Sequence, residues 1–343
     1  MHHAGPSRAT AGRHSAGHTL THRNNEAGIQ IIGARVESNS HAPAPAIVRR
    51  VRAWPRRWRL GLLAALTLAT LLAVLALPPL PQPQAYHNFA DQRGLWGVPH
   101  FLNVASNAAL VLAGTAGLWF VLAAPGRPKR PAPQGPRRGP YRALGAANEV
   151  SLGGLRRGQW SGAGVGAQPW ERMPYLVFFL GVLLTGFGSA WYHWMPDNGR
   201  LTWDRLPMTL IFMSFLAAAV GERISARAAR LGLAPLLALG LASVILWHMG
   251  EQRGAGDLRL YGLLQFYTAV MTPVIVLLFP SRHGGDRDVL QALGLYALAM
   301  LCGELLDVRI FALGQIVSGH TLKHLLAGAA AYRVLRMLTA RRG

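Results

Sequence analysis

The chain is 343 residues long, 51% hydrophobic and only 14% charged, with 35 Lys and Arg against 14 Asp and Glu. A disordered chain is poorer in apolar residues and is excluded, the composition sits badly with a soluble globular domain, which carries about 25% charged residues, and the single cysteine, Cys302, excludes a disulfide-stapled scaffold. The net charge of +21 does not point to nucleic acid, because residues 1–59 carry +8 and residues 125–172 carry +7. Most of the basic excess thus sits in two segments beside apolar stretches, the pattern of cytoplasmic loops on a membrane protein.

A helix needs about 20 apolar residues to cross the hydrocarbon core, and eight runs of about that length follow one another. Residues 1–57 precede them, a basic arm rich in His, Ala, Ser and Gly without helical period, predicted to be a disordered cytoplasmic tail. The first run, Leu60–Leu77, is uncharged and is followed by PPLPQPQAYH, which lacks a small-x-small cleavage pattern. An uncleaved anchor helix over 58–79 is therefore expected in preference to a signal peptide. The second run is Phe101–Ala124, and the Gly-, Pro- and Arg-rich segment 125–170 after it reads as a disordered cytoplasmic insert. The remaining runs are Pro174–Trp194, Leu206–Gly221, Leu231–Trp247, Tyr261–Phe279, Val289–Leu306 and Ser318–Leu338. Pro235 and Pro273 fall inside runs, which membrane helices tolerate. The expected fold is an all-α integral membrane protein, a seven-transmembrane-helix bundle over 86–338 preceded by one extra N-terminal anchor helix.

Lys and Arg are enriched on the cytoplasmic side. The arm, the insert, the Arg223–Arg227–Arg230 loop, Arg282 with Arg287, and the tail Arg336, Arg341 and Arg342 all fall on one side. The alternate loops hold few bases and pair them with acids, so both termini are expected in the cytoplasm. Asp197, Glu251, Asp257 and Asp307 are read as ion-pair partners of Arg200, Arg205, Arg253, Arg259 and Arg309, and Trp191, Tyr192, Trp194 and Trp203 as interfacial aromatics.

The chemistry gathers at the outer side. The third run ends in GSAWYH, which puts Ser189 and His193 four apart on one helix face. Asp204 opens the next helix, and SGHTLKHL puts His320 and His324 four apart at the start of the last one. The alternation of helix directions brings all five to similar depth. A His-x-x-x-His pair with a third His suits a catalytic zinc, which takes three protein ligands and keeps a position for water. Such a metal makes hydroxide available near neutral pH. Asp204 is then placed to act as general acid and base, and Ser189 to hydrogen-bond an oxyanion. Ser189 also adjoins Gly188 and equally suits close helix packing. Ionisable groups inside a membrane are functional-site candidates by default.

The stretches YHNFADQRGLWGVPHFLNVASN (86–107), GSAWYHWMPDNGRLTWDRLPMT (188–209), GDLRLYGLLQFY (256–267) and SGHTLKHL (318–325) resemble the bacterial branch of the alkaline ceramidase family. The resemblance covers roughly 86–338 without the insert. It implies a seven-helix, zinc-dependent hydrolase that splits ceramide or a similar N-acyl lipid into a fatty acid and a sphingoid-type amine. It assigns zinc to His193, His320 and His324, the acid/base role to Asp204 and the oxyanion role to Ser189. Calcium is not expected, because animal members carry an acidic cluster before the first core helix where this chain offers only Asp91, with His100 and Asn103 beyond it. The implied location is a bacterial inner membrane with the active site facing outward, membrane lipids around the bundle and no nucleic acid as partner. Two alternatives stay open: a non-enzymatic receptor-like or hemolysin-III-like seven-helix protein with the same metal site, and a membrane cytochrome with haem between two histidines.

Overall fold

A computed structural model of the chain describes residues 46–123 and 169–342. The expected arm up to residue 45 and the expected insert up to residue 168 lie outside the described residues. Within them the regular structure is helical, and the sole β feature is an isolated bridge between Leu95 and Val98.

Ala46–Arg52 form a short helix, α1, where the sequence reading expects a structureless tail, and α2 follows over Arg56–Ala76. Arginines anchor these helices to the ends of others. The last carbonyls of a helix have no partner inside it, and basic side chains near a C-terminus satisfy them while meeting the negative end of the helix dipole. Arg52 donates to the carbonyls of Val276 and Leu277 at 3.0 and 2.9 Å, Arg59 to that of Leu278 at 2.7 Å, and Arg56 to that of Ile224 at 2.9 Å.

The second apolar run is interrupted. It forms α3 (Phe101–Ala105) and α4 (Ala108–Leu122), separated at Ser106 and Asn107. Beyond the undescribed segment come α5 (Pro169–Trp194), α6 (Asn198–Arg223), α7 (Ala226–Glu251), α8 (Arg259–Leu278) and α9 (Asp286–Met300). The prolines at 174, 207, 235 and 273 are held inside continuous helices. At the end of α9 the helix widens into a π-turn, Leu301–Leu305, before the short α10 (Asp307–Ala312) and the long α11 (Gly319–Ala340).

Among the described residues seven helices are long and apolar enough to cross a membrane, from Arg56–Ala76 to Asp286–Leu305. The helix α11 is not among them, although its 22 residues are about 33 Å long. His320, Lys323, His324, Arg333 and Arg336 give it a polar content that an isolated span would not tolerate, and most of these residues face other helices. The chain is thus an all-helical protein of membrane type. Its main core lies between α4, α5, α9 and α11 around Phe178, Phe179, Val182, Val334 and Met337. A smaller aromatic core of Phe89, Tyr192, Trp247 and Tyr261 closes the end of the bundle that carries the histidines.

Candidate metal centre

The turn between α5 and α6 is short, and Asp197 caps α6 by accepting from the Arg200 backbone N–H at 2.8 Å. The two helices meet so closely that a Cβ on Gly188 would lie 2.2 Å from the Trp203 carbonyl oxygen and 3.3 Å from the Asp204 nitrogen. Close packing is therefore the role of Gly188, and it brings its neighbour Ser189 and Asp204 to the wall of one cavity. Ser189 itself is buried, with Oγ 3.4 Å from Nε2 of His324.

The start of α11 is fixed by several partners. Ser318 caps the helix, its Oγ accepting from the Thr321 N–H at 3.1 Å, and Asp307 Oδ1 accepts from the His320 N–H at 2.7 Å. Asn103 Oδ1 accepts from Thr321 Oγ1 at 2.9 Å and from Ser318 Oγ at 3.3 Å, tying α3 to the same turn. A Cβ on Gly319 would stand 2.1 Å from the Cys302 carbonyl, so only glycine lets α11 approach the π-turn this closely.

These supports converge three imidazoles. Side-chain nitrogens of His193, His320 and His324 all lie within 4.8 Å of one another, and the three residues are buried. Nε2 of His193 and Nε2 of His320 are 3.2 Å apart. Nitrogens at the usual zinc distance and a tetrahedral angle are separated by about 3.3 Å. On the third histidine, Nδ1 lies 2.8 Å from Ser106 Oγ, which in turn donates to the Asn103 carbonyl at 3.2 Å. A metal bound at Nε2 would need the proton on Nδ1, where Ser106 Oγ can accept it while donating to that carbonyl. Three buried imidazoles with no carboxylate in the group form a donor set that can hold a metal ion.

Phe89 closes one side of the triad, its ring centroid 4.5 Å from that of His193 and 4.6 Å from that of His320. On the other side is a cavity of about 130 Å³ whose wall includes Ser189, Asp204, Lys323 and His324. It continues along α11 past Ala327, Ala330, Ala331 and Val334, which the 1.5 Å rise per residue places up to about 15 Å beyond His324. Apart from the polar groups near the triad and a few hydroxyls its lining is apolar, including Phe178, Val182, Ile211 and Phe212.

The five residues singled out from the sequence, Ser189, His193, Asp204, His320 and His324, therefore occupy one neighbourhood: three in the nitrogen cluster, two on the cavity wall beside it. Sequence reasoning passed over Ser106, Phe89 and the Lys323–Glu304 ion pair, and met Asn103 only in weighing calcium, not as a support of α11. Their signal is weak, since none is a metal ligand type at ligand spacing, although Asn103 and Ser106 stand where the second apolar run breaks.

The expected ion pairs need correction. Asp197 pairs with Arg200 and Asp257 with Arg259, at 3.2 and 2.7 Å. Glu251 and Asp307 do not pair with arginines. Glu251 accepts from the Gln82 N–H, Asn198 and Trp247, while Asp307 takes the backbone N–H groups of Ala90 and His320. Arg205 instead donates to Gln82 at 2.6 Å and lies over the rings of Tyr86, Trp247 and Tyr261. Tyr192 is 1% exposed, its hydroxyl 2.8 Å from His87, whereas Trp191, Trp194 and Trp203 are exposed as interfacial aromatics would be. Asp91 is buried, and the Arg93 guanidinium hydrogen-bonded to it holds its carboxyl below the usual carboxylate range. Compared with protein-family profiles, curated proteins and solved structures, the chain gives no match.

Proposed function

We propose that the protein is a zinc-dependent intramembrane amidase of the alkaline ceramidase type, hydrolysing the N-acyl bond of ceramide or a similar N-acyl lipid. The observation that carries this reading is the coincidence of a buried three-histidine cluster with Ser189 and Asp204 at the mouth of an apolar cavity. His193, His320 and His324 would hold the zinc, which when bound supplies Lewis acidity at a site sheltered from bulk water. The acyl chain lies in the cavity among Phe178, Val182, Ile211 and Phe212, which excludes water from the far side of the amide. Ser189 donates a hydrogen bond to the amide oxygen as charge develops there. Asp204 takes a proton from the attacking water and returns it to the leaving nitrogen, so that the products are a carboxylic acid and an amine. In this reading α2 is an anchor helix that spans a bacterial inner membrane, both termini are cytoplasmic, and the triad lies toward the outer face.

The test is fatty-acid release from a panel of ceramides and other N-acyl lipids by purified protein in detergent. Release is expected to fall about 100-fold or more in Ser189→Ala, the usual effect of losing an oxyanion donor, and to disappear in Asp204→Asn. Zinc bound without release from any lipid would replace the amidase reading with a receptor-like one.

A further inference from the structure

The apolar cavity ends in a charged pair. Of the residues on its wall only Asp204 and Lys323 carry a formal charge, and Lys323 is the one cation. On α11, Lys323, Ala327, Ala330 and Val334 all line the cavity, and their spacing of four, three and four residues puts them on one helix face. On α9 the wall is Ala292, Tyr296 and Met300, four apart, and four residues beyond Met300 comes Glu304 in the π-turn. Glu304 accepts a hydrogen bond from Lys323 Nζ. The two helix faces that border the cavity thus lead, at the histidine end, to a single ion pair.

The pair is held by the fold. A Cβ on Gly303 would lie 2.5 Å from Cδ and 2.7 Å from Cβ of Lys323, so the lysine stem rests on π-turn backbone that glycine leaves bare. Such π-turns are rare and occur often at functional sites. An ammonium has three hydrogens to donate, and Glu304 is the hydrogen-bond partner of Nζ among the described residues. The Lys323 side chain is 15% exposed, so little water reaches it to take the other two. An apolar channel headed by one ammonium suits a single-chain amphiphile with an anionic head. A carboxylate carries the one charge that one ammonium matches, and charge-assisted hydrogen bonds to it are the strong ones. It is also the group that amide hydrolysis leaves on an acyl chain.

We propose that Lys323 is a carboxylate-binding residue: the cavity takes a long-chain fatty acid with its head on the Lys323 ammonium, for which Glu304 is the resident competitor. That this fatty acid is the product of the same site rests on the amidase reading; its binding does not.

The experiment measures equilibrium binding of tetradecanoic acid and of tetradecanol to the full-length, zinc-loaded protein in detergent, at a pH where the acid is ionised. The readout is the ratio of the two affinities, because a change in the shape of the cavity moves both ligands and loss of the ammonium moves only the acid. The acid is expected to bind about ten-fold or more tightly than the alcohol, the value of a hydrogen bond to a charged group. Lys323→Met should remove most of that preference and Lys323→Arg should keep it. Glu304→Gln should raise it, because the ammonium loses its competitor. The double variant Lys323→Met with Glu304→Gln strands no charge and should match Lys323→Met. Bound zinc is measured in every sample, and the comparison is repeated after metal removal, where the difference between parent and Lys323→Met should persist. An equal ratio in parent and both methionine variants, or a difference that vanishes with the zinc, overturns the proposal. If N-acyl lipids are hydrolysed and the ratio does not move, the proposal fails alone. If no lipid is hydrolysed yet Lys323→Met abolishes the preference for the acid, the amidase reading fails and the carboxylate site stands.

Discussion

Ser106→Ala should weaken zinc binding while sparing the fold. Ser106 Oγ is the partner of His324 Nδ1 at 2.8 Å, and both residues are buried. With the hydroxyl gone, a metal on Nε2 would leave the Nδ1 proton without its 2.8 Å partner and with only the backbone of Asn103 near the ring. An unsatisfied buried donor costs about 1–3 kcal/mol, which at 1.4 kcal/mol per decade is roughly 5- to 150-fold in affinity. Losses of 10–100-fold are usual for such supporting partners of a metal-bound histidine. The metal-free protein escapes the penalty, because the imidazole can move its proton to Nε2 and donate toward Ser189 Oγ, 3.4 Å away. The cost therefore falls on metal binding and not on folding. Competition against a chromogenic chelator at fixed pH gives the affinity, and thermal unfolding with and without zinc gives the partition. An affinity within about two-fold of the parent, or equal destabilisation of the zinc-free and zinc-loaded forms, would refute the reasoning.

Three further outcomes are expected. Gly188→Ala places a methyl 2.2 Å from the Trp203 carbonyl, a backbone atom that cannot swing aside, so α5 and α6 must separate. A loss of about 1–3 kcal/mol and a lowered Tm should follow, and an unchanged Tm would contradict the close pass. At the other end of the bundle Arg341 pairs with Glu222 at 2.7 Å, and Tyr175 donates to the same carboxylate. Arg341→Met alone should cost about 3–5 kcal/mol by stranding Glu222, with Glu222→Gln in the same chain restoring much of it; equal Tm values for the single and double variants would exclude the coupling. The lowered pKa of Asp91 makes a stability contribution that is present above its ordinary value of 3.8 and lost as pH falls through the lowered folded value. Tm should consequently decline more steeply with acid in the parent than in Asp91→Asn, and parallel curves would contradict the pairing with Arg93.

Much of this architecture is legible in the sequence because membrane helices announce themselves by length and apolarity. The run Pro174–Trp194 lies within α5 and Leu231–Trp247 within α7. The start of α6 at Asn198 is harder to see, since its first turns carry Arg200, Asp204 and Arg205, the last of them buried against the rings of Trp247 and Tyr261. The histidines were legible because their i, i+4 spacing is a chemical pattern as well as a structural one. Local ion pairs such as Asp257 with Arg259 could also be read, since partners two residues apart have few other choices. Asp307 and Glu251 could not, because their partners are backbone N–H groups and side chains brought near only by the tertiary fold. The same holds for Ser106, whose part depends on α3 lying against the start of α11. The π-turn at Leu301–Leu305 has no sequence signature of its own; Gly303 and Gly319, which permit it, look like ordinary helix-packing glycines.

The central claim is that three histidines hold one zinc and that hydrolysis depends on it. Its most direct test is to strip the purified protein of metal, return zinc in steps, and follow bound zinc and fatty-acid release from an N-acyl lipid in the same samples. The account predicts saturation at one zinc per chain, with release rising in proportion, and neither zinc retention nor release in His320→Ala. Full release from metal-free protein, or zinc retained in stoichiometric amount after His320→Ala, would contradict it.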